Sequence, residues 1–140
     1  KEVIMKIRLK ILFIIVEILL FASFFLTWFG DGDMVVLRGV DLDVFMGWLI
    51  FFYIGTWFSL FSTSKKIHVT SLIASICVFL LEIYQFLTWH YLTITGYISL
   101  AFSFDMTSLG FYLSLFICCI NIVCKIIGMK LCTHSIIEKK

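Results

Sequence analysis

The stretch IHVTSLIASICVFLLEIYQFLTW, residues 67 to 89, decides how the rest of the chain is read. At a rise of 1.5 Å per residue, roughly 20 apolar residues cover a hydrocarbon core of about 30 Å, so this segment is long enough to cross a bilayer. Its side chains are not uniform around the helix. At spacings of four and three, one face carries Ser71, Ser75, Val78, Glu82, Gln85 and Trp89, and the remainder is almost wholly apolar. A charged side chain at mid-membrane costs roughly 2.5–3.5 kcal/mol even on the most forgiving scale, so Glu82 implies neighbouring helices or a wet cavity.

Composition supplies those neighbours. The 140 residues are 62% hydrophobic, 18% aromatic and 14% charged, with a mean hydropathy of +1.11, where an ordinary soluble domain has about 25% charged residues. The pattern is that of an all-α membrane protein, a single integral domain over residues 1–140. Its expected helices cover about residues 9–29, 45–63, 67–90 and 108–128, with outer loops at 30–44 and 91–107. That length leaves no room for a separate catalytic domain.

The first apolar run, Ile11 to Phe29, follows Lys1, Lys6, Arg8 and Lys10. It exceeds the 7–15-residue apolar core of a secretory signal, and no small-x-small site follows it, so an uncleaved first span is expected. Between spans, both long loops alternate. Val40, Leu42 and Val44 interleave with Asp41 and Asp43 after a turn near Arg38-Gly39, and Ile98, Leu100, Phe102 and Phe104 interleave with Ser99, Ala101, Ser103 and Asp105. A period of two is that of a half-buried strand, so the two outer loops are expected to form a small extracytoplasmic antiparallel β-sheet of three or four strands. The Asp31/Asp33 and Asp41/Asp43 pairs lack the further oxygen donors and the terminal Glu of a calcium loop, and read as solvated acids.

Charge orients the chain. The N-terminal segment contributes four basic residues, the turn Lys65 and Lys66, and the C-terminal segment Lys125, Lys130, Lys139 and Lys140. The opposite side holds Arg38 and the five aspartates. Basic residues stay cytoplasmic, which predicts a multi-pass protein of the plasma membrane with both termini cytoplasmic and both long loops outside. Phe25-Leu26-Thr27-Trp28 recurs as Phe86-Leu87-Thr88-Trp89, each copy followed by an alternating stretch and then by a Gly that opens the next span (Gly47, Gly110), suggesting a duplicated plan. Trp28, Trp48 and Trp89 are the expected interface anchors. Gly55, Ser59, Ser71, Ser75, Gly110 and Ser114 are the small residues expected where helices pack closely.

Five polar residues lie within the spans: Glu17, Glu82, Gln85, Asn121 and Lys125. Glu17, Asn121 and Lys125 fall at comparable depth, so Glu17 is expected to bond Asn121 with Lys125 folding back as counter-charge. Glu82 has Gln85 one turn away and Thr56, Tyr53, Tyr112 or Ser114 as partners; with no cation near, burial favours its neutral form. These acids either hold the bundle together or handle protons or cations.

No catalytic set is present. His68, His90 and His134 fall in a turn, a loop and the tail, on different sides by this topology, and cannot share a metal or haem. No Gly-rich phosphate loop, nucleophile elbow or Cys-x-x-Cys pair occurs, and Cys77, Cys118, Cys119, Cys124 and Cys132 read as packing residues. Neither a cofactor nor a metal is expected, and nucleic acid is not an expected partner because the basic residues are juxtamembrane and meet lipid headgroups. The expectation is a non-enzymatic accessory, regulatory or immunity-type protein that associates laterally with another membrane protein or with itself. The alternative is an oligomeric small transporter or channel using its intramembrane carboxylates.

Glu17 in Ile15-Val16-Glu17-Ile18 resembles the first-helix glutamate of the small multidrug resistance transporters, four-helix chains of about this size, and that likeness implies proton-coupled transport. The chain departs from them in its strong charge bias, long loops and lack of proline. The four-span plan with an outer sheet resembles the claudin arrangement, without the claudin Gly-Leu-Trp and paired extracellular cysteines.

Overall fold

A computed structural model describes residues 2–30, 36–41, 43–62 and 64–137, with side chains left undescribed at 2–6, 43–45, 92–93 and 132–137. The Asp31/Asp33 pair and the side chains of Asp43, Cys132 and His134 therefore lie outside the described residues. The chain is 83% helical. In order it forms α1 (Glu2–Ser23), β1 (Thr27–Phe29), β2 (Leu37–Arg38), a single 3-10 turn (Gly39–Asp41), α2 (Asp43–Phe61), α3 (Lys65–His90), a π turn (Tyr91–Thr95), α4 (Leu100–Asp105) and α5 (Leu109–Ile137).

Two helices are long and apolar enough to cross a membrane, Lys65–His90 in α3 and Leu109–Leu131 in α5; Met46–Phe61 in α2 is a shorter apolar helix. The four long helices close into a ring. α2 packs on α3, α3 on α5, and α5 on α1, with a lighter α1–α2 contact completing it. The core holds Phe13, Val16 and Leu20 of α1 with Phe24 just past its end, Leu49 and Tyr53 of α2, Val78 and Phe86 of α3, and Phe111, Ile117, Cys118 and Cys124 of α5. In α1 and α2 they recur at three and four, and in α3 and α5 at one to eight residues, steps that return to one inward face of a helix.

Among the described residues the expected three- or four-stranded sheet is a two-stranded one. β1 pairs antiparallel with β2, Thr27 opposite Arg38 and Phe29 opposite Leu37, and the second loop adds one bridge, Phe29 to Thr107. Arg38 is thus within a strand, and the turn foreseen at Arg38-Gly39 is absent; Val40 and Asp41 lie in the 3-10 turn, and α2 starts at Asp43. Most of the alternation at 98–105 is helix, α4 covering Leu100–Asp105. Ser99 caps α4 by accepting the Phe102 N–H at 3.3 Å, and Ser99 and Ser103, read as same-side strand residues, are also one helical turn apart. Leu92–Thr95 continues α3 as a π turn, closed by Gly96 N–H to Tyr91 O at 3.1 Å.

α1 ends at Ser23, well before the expected limit at residue 29, because Phe24, Phe25 and Leu26 leave the helix in tight turns. That exit lets Trp28 and Phe29 point inward. Trp28 donates its Nε1 hydrogen to Ser23 O at 3.0 Å and packs edge-on to Phe111. Phe29 stacks on Trp89 with centroids 4.9 Å apart and planes 7° from parallel. Trp28 and Trp89 are therefore core residues, only 1% and 4% exposed, rather than interface anchors; Trp48, at 60%, faces outward. The repeated Phe-Leu-Thr-Trp letters also take different backbones, turn and strand in the first copy and helix in the second. Yet the two tryptophans meet around Phe29 and Phe111.

The two loops are joined through main chain as well. Gly30 N–H reaches Met106 O and Ser108 N–H reaches Trp28 O, each at 2.8 Å. Gly110, the second residue of α5, lies so close to Thr27 O and Leu26 Cβ that any side chain there would collide with backbone.

Candidate functional site

The buried polar groups gather in two clusters joined by a sparse polar thread. The larger lies in the half of the bundle nearer the α2–α3 turn. Glu17 of α1 is fully buried, and Lys125 Nζ of α5 approaches its Oε1 at 2.5 Å. An ammonium has three hydrogens to donate. Lys125 donates to Thr56 O at 2.7 Å and to Ser59 Oγ at 3.1 Å, and its contact with Glu17 Oε1 is an ion pair without hydrogen-bond geometry. Glu17 is held from α2 as well. Thr56 Oγ1 lies 2.7 Å from Glu17 Oε2 and from Tyr53 O, and Tyr53 OH donates to Glu17 O at 2.8 Å. Ser71 of α3 donates to Thr56 O at 2.5 Å and lies 3.2 Å from Ser59 Oγ.

All four long helices thus contribute to one ion-pair cluster. An isolated charge in so apolar a place would cost several kcal/mol, and this geometry offsets that cost by giving both ions short, charge-assisted bonds. The small residues make room for it. Gly55, one residue before Thr56, faces Ala74, whose Cβ lies 3.0 Å from where a Cβ on the glycine would stand, and Ser59, Ser71 and Ser75 are buried.

The second cluster lies towards the strand-bearing end. Glu82 is fully buried; its Oε1 lies 2.8 Å from Ser114 Oγ, which lies 2.9 Å from Ser23 Oγ, which lies 2.6 Å from Leu20 O. Glu82 Oε2 and Gln85 Oε1 are buried without a hydrogen-bond partner. Between the clusters, Cys118 Sγ reaches Ser75 O at 3.8 Å, and Asn121 is buried with its Nδ2 unpartnered.

The structure therefore brings Glu17 to Lys125, while Asn121 makes no bond to Glu17; four positions, one turn of α5, separate a side chain that reaches across the bundle from one that stops short. Of the four partners expected for Glu82 only Ser114 meets it. Tyr53 and Thr56 serve Glu17 instead.

One functional-looking residue was missed in the sequence. His90 is fully buried; its Nε2 accepts Ser99 N–H at 3.0 Å and its Nδ1 lies 3.3 Å from Ser103 Oγ. Because Nε2 accepts, the ring is neutral with its hydrogen on Nδ1, donated to Ser103. Ser103 in turn donates to Ser99 O at 3.1 Å. His90 thereby fastens α4 to the end of α3. The signal was present as a histidine one helical step past Trp89 and two serines four apart, but the strand reading put Ser99 and Ser103 on an outer surface.

Among the described residues no three His, Cys, Asp or Glu side chains come together as a metal site. No family model, curated protein or solved structure matches this chain.

Proposed function

We propose that this chain is a four-span protein of the plasma membrane, crossing with α1, α2, α3 and α5, both termini cytoplasmic, and that it acts without catalysis as an accessory, regulatory or immunity-type protein bound laterally to another integral membrane protein or to a second copy. The observation that carries the reading is the division of labour between inside and outside. The buried lysine is ion-paired and hydrogen-bonded within the chain, while Ile11, Ile18, Phe51, Phe58, Leu80 and Phe116 are exposed on the outer faces of the four helices. A surface of that kind suits lipid and transmembrane neighbours, and the internally balanced core suits a scaffold.

A photoreactive residue at Phe51 or Phe58, in native membranes, tests it. A discrete protein adduct of reproducible mass is expected at one helix face and not at others; adducts to lipid alone at every outward position would overturn the proposal. Labelling of residues in the loop 91–99 from the outer side, with Lys130 labelled from the inner, tests the topology.

Glu82 gives a second reading its support. A buried carboxyl with one oxygen unpartnered is the kind of group a proton- or cation-coupled transporter uses. Vesicles containing the purified protein discriminate, since a flux removed by Glu82→Gln with folding intact favours transport and the absence of flux under any ion or proton gradient removes it.

A further inference from the structure

Hydrogens can be counted at the Glu82 cluster. Three oxygen–oxygen contacts run in series: Leu20 O to Ser23 Oγ, 2.6 Å; Ser23 Oγ to Ser114 Oγ, 2.9 Å; Ser114 Oγ to Glu82 Oε1, 2.8 Å. A carbonyl has no hydrogen to give, so the first contact uses the single hydroxyl hydrogen of Ser23. The second must then use that of Ser114. The third contact has a hydrogen of its own only when the acid supplies it. With a carboxylate, Ser114 donates to Glu82 and Ser23 to Ser114, and Leu20 O is left to share the Ser23 hydrogen, as Tyr53 O shares that of Thr56 beside Glu17; Glu17 has Lys125 to hold its charge, and Glu82 has no such cation.

The surroundings agree. The groups facing Glu82 are Ser114 and the Cys118 thiol from α5, with Ser23 of α1 behind Ser114 and Gln85 one turn along α3. None is a cation, and among the described residues no ion pair involves Glu82. Lys125, the buried ammonium, is held elsewhere, by Glu17, Thr56 O and Ser59 Oγ. The unpartnered Oε2 is then the carbonyl oxygen of a neutral acid, a far smaller loss than a bare anionic oxygen would be.

We propose that Glu82 is a proton-binding site, and that the proton held on its Oε1 is the ligand that ties α3 to α5 and α1. The chain of contacts also transmits its occupancy. When Glu82 releases its proton to water, Ser114 turns its hydrogen to the carboxylate, Ser23 turns its own to Ser114, and Leu20 O is left with a share of it. Two of the three bonds reverse and the third is weakened, and the change emerges where α1 ends and the chain turns towards β1. The site stands apart from the lateral-association reading, since it requires no partner protein.

Infrared spectroscopy of the full chain in phosphatidylcholine vesicles at neutral pH, with an isotope label on the glutamate carboxyl carbon, tests this. A carbonyl stretch of a protonated glutamic acid is expected in the wild type, lost in Glu82→Gln and kept in Glu17→Gln. Ser114→Ala should move that band to higher frequency, as befits an acid that has lost its acceptor, without removing it. Absence of the band in the wild type, its survival in Glu82→Gln, or indifference to Ser114→Ala would each overturn the assignment. Should Glu82→Gln fail to assemble, the wild-type band and its response to Ser114→Ala decide alone.

Discussion

Glu17 and Glu82 are the same residue type, both fully buried, and they are stabilised in opposite ways. Glu17 is held by an ammonium from α5 and by Tyr53 and Thr56 of α2, and a charge is tolerable there because another charge cancels it. Glu82 has one hydroxyl and no cation, and is tolerable only without its charge. The lesson is that burial does not determine the state of an acid; the inventory of hydrogens and cations around it does.

The largest expected effect comes from taking away the cation. Lys125→Met should destabilise the protein by about 3–5 kcal/mol, because it leaves Glu17 buried and unpaired. The double variant Glu17→Met with Lys125→Met should recover most of that loss. Thermal unfolding in mild detergent measures both, and equal damage in single and double variants would mean that the pair is not what holds the cluster. Next is Thr56→Val, which keeps shape but removes the hydroxyl beside Glu17 Oε2; a loss of about 1.5–3 kcal/mol is expected for a bond to a charged group, in the same assay.

Amide substitution separates the two acids. Glu82→Gln keeps an uncharged group that can still bond Ser114 and should cost about 1–2 kcal/mol in the same assay. A loss as large as that of Lys125→Met would erase the contrast. Smallest of the four is Ser114→Ala, expected to cost about 0.5–1.5 kcal/mol, the usual worth of a neutral hydrogen bond.

Some of this was legible before any coordinates. The face Ser71, Ser75, Val78, Glu82, Gln85, Trp89 is buried along its whole length, because a polar stripe on an otherwise apolar helix has nowhere else to go. Lys125 as counter-charge to Glu17 followed from matched depth alone. The loops were misread for a definite reason. Over six residues a two-residue alternation and a single amphipathic helical turn and a half place the same residues together, and Ser99 with Ser103 satisfies either. What tips the balance to α4 is His90, a contact from outside the segment that no local period encodes. The fate of Trp28 was hidden likewise, since an inward turn after Ser23 depends on Gly110 leaving space at Thr27 and Leu26.

The closed ring of helices has a consequence for how the protein is made. α1 precedes α5 in the chain, yet α5 is the helix it leans on most. While α5 is still unmade, Glu17 is present and its counterion does not yet exist, and Tyr53 and Thr56 of α2 are the first groups that can shelter it. A chain halted between α3 and α5 therefore carries an acid still waiting for its cation.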